Sequence, residues 1–181
     1  QVFKYAKNKG IPTMFFVNKI DDDRADYQKT LEEMKEVFGK SITPFVYPIK
    51  EGDGFGGFVD IVDMTARRYN GQYREEIPVP DGMAEIVAPL REMIMEAVAE
   101  TDEELMNKYF NGEEFTVDEI KQAIRKGVKD GSIFPVYCGS GQNNIGVRSL
   151  MDGMGKYLPA PSEIEEIARN AETAEPVEVV Q

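Results

Sequence analysis

An α/β fold follows from three features of this 181-residue chain. The run at 13–17, in "TMFFVNKIDDD", is continuously apolar from Met14, as strands of parallel sheets covered on both faces are. A second strand-like run, "SIFPVYC", leads into the loop "GSGQNNIG" and a closing amphipathic stretch. Helical periodicity separates and follows these runs, the alternation expected of a mostly parallel sheet.

The elements follow in order. Val2, Phe3, Tyr5 and Ala6 recur at helical spacing until Gly10 and Pro12 close that helix. The sequence begins inside an amphipathic element without an initiating Met, which predicts a piece of a longer protein. Tyr27, Leu31, Met34 and Phe38 mark one face of a second helix, with Gly39 as its stop. Residues 42–49, "ITPFVYPI", read as one strand interrupted by two prolines, suited to a sheet edge. The composition then changes. "EGDGFGG" reads as a turn-rich loop, and "FVDIVDMTARRY" as a strand pairing with "QYREEIPVP" across Asn70-Gly71.

From Met83 to Lys129 the pattern is helical, and Pro89 belongs in a first turn. Two capping boxes are expected, Thr101 with Glu104 and Thr116 with Glu119, with Gly131 ending the last helix. Val147, Leu150, Met151, Met154 and Leu158 mark the closing helix, in which Gly153 and Gly155 each cost about 1 kcal/mol. "SEIEEIAR" predicts a short helix leading into an acidic linker at 162–181 toward a following domain.

Composition narrows the chemistry. A net charge of −12 argues against a basic track along nucleic acid, so direct DNA binding is not expected. Histidine is absent, which removes a histidine base and histidine metal ligands from this segment. No apolar run approaches a membrane span, no leader pattern opens the chain, and Cys138 is the lone cysteine; a cytoplasmic location is the expectation. Cys138 is expected to fill a core position at a strand end.

In a parallel sheet, ligands bind beyond the carboxyl ends of the strands. Asn18, Lys19 and Asp21 lie there. The Asp21 carboxylate accepts hydrogen bonds, and guanine presents an adjacent N1–H and exocyclic amine that adenine does not. Asn18 can brace the loop or reach the base, while the Lys19 stem can lie along a flat ring with its ammonium in water.

"FFVNKID" resembles the guanine-specificity motif of translational GTPases, and "FPVYCGSGQNNIGVRSLMDGMGKYLPAP" resembles their second base-binding strand, loop and closing helix. "YPIKEGDGFGGFVDIVDMTARRY" and "DEELMNKYFNGEEFTVDEIKQAIRKG" are similar to the insert that elongation factor G carries within its nucleotide-binding domain. The resemblance covers about residues 1–161. It implies the later half of a P-loop NTPase-type three-layer, mostly parallel sheet. The nucleotide-binding parts fall at 1–51 and 132–161, and an inserted α+β subdomain at 52–131. It implies that Asn18, Lys19 and Asp21 hold guanine and that Ser140, Gly141 and Gln142 form the second base loop. The ligand is then GTP or GDP. The family usually has alanine where Gly141 stands, and glycine makes that loop looser.

No G-x-x-x-x-G-K-[ST] occurs in the chain, so the groups that cradle phosphates and Mg²⁺ are not among these residues. In the family's order they precede residue 1. The expectation is a ribosome-dependent GTPase that moves tRNA and mRNA, with Mg²⁺ serving the intact parent and this segment inactive alone. A tetracycline-resistance-type ribosomal protection GTPase shares "SIFPVY" and "NNIG", and a non-catalytic acidic interaction module would keep the fold without nucleotide.

Three motifs are decoys. Gly52, Gly54 and Gly57 match G-x-G-x-x-G, yet open an extended run rather than a helix. "DGMG" at 152–155 mimics a switch motif in the wrong order. Asp22 and Asp23 read as solvating a strand end or starting the next helix rather than binding metal. Residues 100–119 carry Glu100, Asp102, Glu103, Glu104, Glu113, Glu114, Asp118 and Glu119 against Lys108. That cluster is either a solvated helix face or a surface that captures a basic partner. The resemblance names the ribosomal stalk protein as that partner.

Overall fold

The computed structural model describes residues 1–51, 54–69, 74–163, 168–169 and 176–177. Helix α1 (Val2–Asn8) leads to β1 (Phe15–Val17), α2 (Tyr27–Phe38) and β2 (Ile42–Pro44). Strands β3 (Val46–Glu51), β4 (Gly54–Asp60), β5 (Thr65–Tyr69) and β6 (Arg74–Ile77) come next. Helices α3 (Asp81–Ala99), α4 (Glu103–Phe110) and α5 (Val117–Asp130) follow, then β7 (Phe134–Cys138) and α6 (Val147–Tyr157). A 3-10 turn at Pro161–Glu163 and two short strands, β8 (Ala168–Arg169) and β9 (Pro176–Val177), close the described chain.

This is the expected mixed α/β fold: among the described residues, a parallel sheet, a separate four-stranded antiparallel sheet and a two-stranded antiparallel pair. The parallel sheet has the order β1-β7-β2, so the last long strand inserts between the first two. Its register sets Val17 beside Cys138 and Ile42 beside Phe134, which brings the ends of β1 and β7 level. All of β7 is buried, and Cys138 fills a strand-end core position where burial pushes its thiol up from the ordinary range. One flank of the sheet is closed by a ring cluster: Phe3 of α1 lies 4.9 Å from Phe38 of α2 and 5.1 Å from Phe134.

The run 42–49 is two strands in two sheets. Pro44 ends the parallel strand, and the chain turns at Phe45, whose N–H donates to Val136 O while its carbonyl accepts from Ile61 N. Val46–Glu51 then opens the antiparallel sheet β3-β4-β5-β6. Two further readings change with it. Gly54 to Gly57 are strand rather than loop, although Gly52 lies outside the described residues. The single strand expected over 58–69 is broken by a turn at 61–64, where the Asp60 carboxylate accepts from Val62 N and Asp63 N. β5 and β6 pair as expected, while Asn70-Gly71 lies outside the described residues.

Pro89 stands deep inside α3 rather than in its first turn. Both Pro89 and Glu85, whose carbonyl loses its helical donor to the proline, are exposed residues, and the buried stripe Val87, Leu90, Ile94 and Val98 does not include them. The expected box at Thr101 is replaced: Asp102 is the N-cap of α4, accepting from Glu104 N, while the Thr101 hydroxyl donates back to Val98 O. The second box, Thr116 with Glu119, is present, and Gly131 ends α5 in the left-handed conformation. In the tail, Ala168–Arg169 pairs antiparallel with Pro176–Val177 instead of extending a helix. Among the described residues no helix is long and apolar enough to cross a membrane.

Candidate functional site

The carboxyl ends of β1 and β7 carry two loops that meet. Ile20 is buried and its N–H donates to Gly139 O, while Gly139 N donates to Val17 O, so the loops leave the sheet already stitched together. Lys19 takes a left-handed backbone (φ 63°) between the exposed Asn18 and the anchored Ile20. That turn explains a lone apolar residue among polar ones: Ile20 is the plug that fixes Asn18 and Asp21 on either side.

The second loop is a narrow turn. Ser140 and Ile145 exchange backbone hydrogen bonds of 2.9 and 2.8 Å, and Ser140 is buried with its Oγ accepting from Asn143 N at 3.3 Å. A side chain at Gly139 would run into the Ile145 carbonyl, and one at Gly146 into the Cys138 carbonyl and the Phe58 ring. These two glycines set the close approach that narrows the loop.

Across the gap, Asn18 Oδ1 accepts from Gly141 N at 2.9 Å, and Asn143 Nδ2 donates to Asp21 Oδ2 at 2.5 Å. The structure thus brings Asn18, Asp21, Ser140 and Gly141 together, with Asn18 bracing the loop. Lys19 and Gln142 are exposed at its rim. Asn143 is the residue that sequence reasoning passed over; an amide in a short glycine-bounded loop facing a motif aspartate was the available signal. Beside Asn18 and Lys19, on the α2 side, an open depression of about 400 Å³ is lined by Asp22, Arg24, Asp26 and Tyr27.

The neighbouring acids have local duties. Asp22 accepts from Arg24 N and from its guanidinium, which holds its carboxyl below the usual range, and Asp26 caps α2 by accepting from Lys29 N. Chemically, the site offers one exposed carboxylate, an amide and a strained turn on the rim of a parallel sheet, a set suited to reading the hydrogen-bonding edge of a flat heterocycle.

A crystal structure of a protein from Thermus thermophilus is similar to this chain, at 36% sequence identity and a TM-score of 0.81. The similarity covers 89% of this chain and 24% of that one, so the chain spans about a quarter of the length of the protein it matches. The family model for the elongation factor Tu GTP binding domain matches residues 1–160. With nearly the whole chain inside that model, the chain belongs to the family of elongation factor Tu GTP-binding domains.

Proposed function

We propose that this chain is the base-recognition part of the GTP-binding domain of a ribosome-dependent translational GTPase of the elongation factor G kind. The parent is a cytoplasmic enzyme that couples GTP hydrolysis to movement of tRNA and mRNA. Residues 1–51 and 132–161 are its nucleotide-binding part, 52–131 the inserted subdomain and 162–181 the linker, with the insert's sheet already drawing on Val46–Glu51. The carrying observation is that Asn18 and Asp21 each meet the 140–143 loop through a direct hydrogen bond, at the ends of β1 and β7.

In this reading Asp21 accepts from guanine N1–H and its exocyclic amine. Asn18 holds the second loop by accepting from Gly141 N–H, a donor that the base O6 then shares, and Lys19 covers the ring with its stem. Ser140 fixes the turn from beneath, and Gln142 flanks the base. The exposed Asp21 carboxylate fits such a base. Phosphate binding and Mg²⁺ belong to segments outside these 181 residues, because the sequence carries no phosphate loop. The purified segment alone hydrolyses no GTP, and turnover by it would overturn that part of the reading.

The acidic insert takes the ribosomal stalk protein as its partner. The test of base recognition is Asp21→Asn in the full-length protein. Xanthine replaces the exocyclic amine by a carbonyl, so the variant should lose GDP and gain xanthosine diphosphate. Undiminished GDP affinity rejects the assignment.

A further inference from the structure

Both groups meant for the base are engaged by the protein itself. Gly141 N–H is given to Asn18, and one oxygen of Asp21 is taken by Asn143. A carboxylate only accepts, so the Asn143 amide presents its nitrogen, the same kind of donor as the exocyclic amine of guanine. We infer that Asn143 is a built-in surrogate for that amine and sets how strongly the site prefers guanine to hypoxanthine. This rests on the assignment of Asp21 to the base.

The fold supports a side chain that swings while its loop stays. The turn is closed by the Ser140–Ile145 backbone pair and by Asn143 N–H on buried Ser140 Oγ, none of which involves the Asn143 amide. That amide is exposed and reaches Asp21 from the rim. Guanine spans both carboxylate oxygens with N1–H and its amine, so one of its donors meets the oxygen that Asn143 already holds and competes with the amide there. Hypoxanthine lacks the amine and needs one oxygen, so it binds with Asn143 in place. Asn143 therefore penalises guanine selectively and narrows its advantage.

The experiment measures GDP and inosine diphosphate affinities of the full-length protein, wild type, Asn143→Ala and Asn143→Leu. Both substitutions keep the backbone N–H that holds the loop and remove the competing donor. The ratio of inosine diphosphate Kd to GDP Kd should rise about tenfold in both, the equivalent of one hydrogen bond to a charged group. An unmoved or reduced ratio overturns the inference, whether the two nucleotides then bind equally weakly or as before, because a residue that only shapes the loop affects both alike. Asp21→Asn, measured in parallel, separates the failures. If it destroys GDP binding while the ratio stays fixed in the Asn143 variants, this inference alone falls. If it leaves GDP binding intact, the base assignment falls and this inference with it.

Discussion

Gly153 of α6 packs so tightly under Tyr137 of β7 that a β-carbon there would overlap the phenol oxygen and ring. Two residues further on, a β-carbon at Gly155 would meet nothing within 4 Å. The two helical glycines therefore have opposite meanings. One is the notch that lets α6 lie on the buried end of the central strand, and the other is an ordinary weak point. Gly153→Ala should destabilise the protein by about 1–3 kcal/mol through overpacking. Gly155→Ala should stabilise it by up to about 1 kcal/mol through helix propensity. Thermal unfolding of the two variants, with hydrogen exchange along α6, reads both signs; equal shifts would refute the notch.

Gly141 invites the reverse substitution. Its φ is not left-handed, and an added β-carbon would rest 3.7 Å from Asn18 Oδ1 and 4.0 Å from Asn18 Nδ2, ordinary contact distances. Alanine thus fits without strain and reduces the freedom of the unfolded loop, so Gly141→Ala should gain about 0.4–1 kcal/mol. It should also buttress Asn18, so nucleotide affinity should hold or rise. A fall in stability on urea titration would show that the loop needs glycine after all.

Helix α5 should carry an acid-sensitive start. Glu119 accepts from Lys108 at 2.5 Å, and from the Thr116 N–H and hydroxyl at 2.8 and 3.0 Å. The Lys108 bond first, then the Thr116 bonds, draw its carboxyl from 4.5 down to about 2. A depressed folded value means its stabilisation is complete above pH 4.5 and lost as pH falls toward 2. Amide exchange in the first turn of α5 should therefore accelerate in acid over that window. In Glu119→Gln the protection should be lower near neutrality and should no longer change across it. A variant with the wild-type acid profile would place the sensitivity on another group.

Periodicity and end signals carried most of the fold, because buried stripes and caps are local. Leu31, Ile94 and Ile124 are buried on the faces their spacing predicts, and Thr116 and Gly131 begin and end α5 as expected. What was lost depends on distant partners. Nothing in "ITPFVYPI" tells that Phe45 hands its N–H to Val136 of the parallel sheet and its carbonyl to Ile61, just past the end of β4. Asp102 rather than Thr101 caps α4, its carboxylate accepting from Glu104 N while the Thr101 hydroxyl turns back to donate to Val98 O at the end of α3. Pro89 is tolerated because of which face it lands on. At the site, Asn18 and Asp21 were legible as a motif, whereas Asn143 acquires its meaning only when a residue 122 positions away is brought against it.

The acidic cluster at 100–119 separates into bound and available charge, and only the latter can steer a partner. Asp102 caps α4 and meets Lys126 at 3.4 Å, and Glu119 is held by Lys108 and the capping box. Glu103, Glu104, Glu113 and Glu114 are exposed, and Phe110 and Val117 stand 77% and 76% exposed on the same helical pair. Acids around solvated apolar side chains suit a basic partner that is steered by charge and seated by contact. Replacing these four glutamates by glutamine should slow association with ribosomes several-fold at low salt. The difference should shrink as ionic strength rises and the Debye length falls below about 8 Å. The insert should stay folded with only a small loss of stability, because none of the four is an N-cap residue, although Glu103 and Glu104 lie in the first turn of α4 and Glu113 accepts from Asn111. Ribosome-stimulated GTP hydrolysis by the full-length protein at two salt concentrations measures the effect. Identical low-salt rates for wild type and the neutralised variant would reduce the cluster to solvated surface.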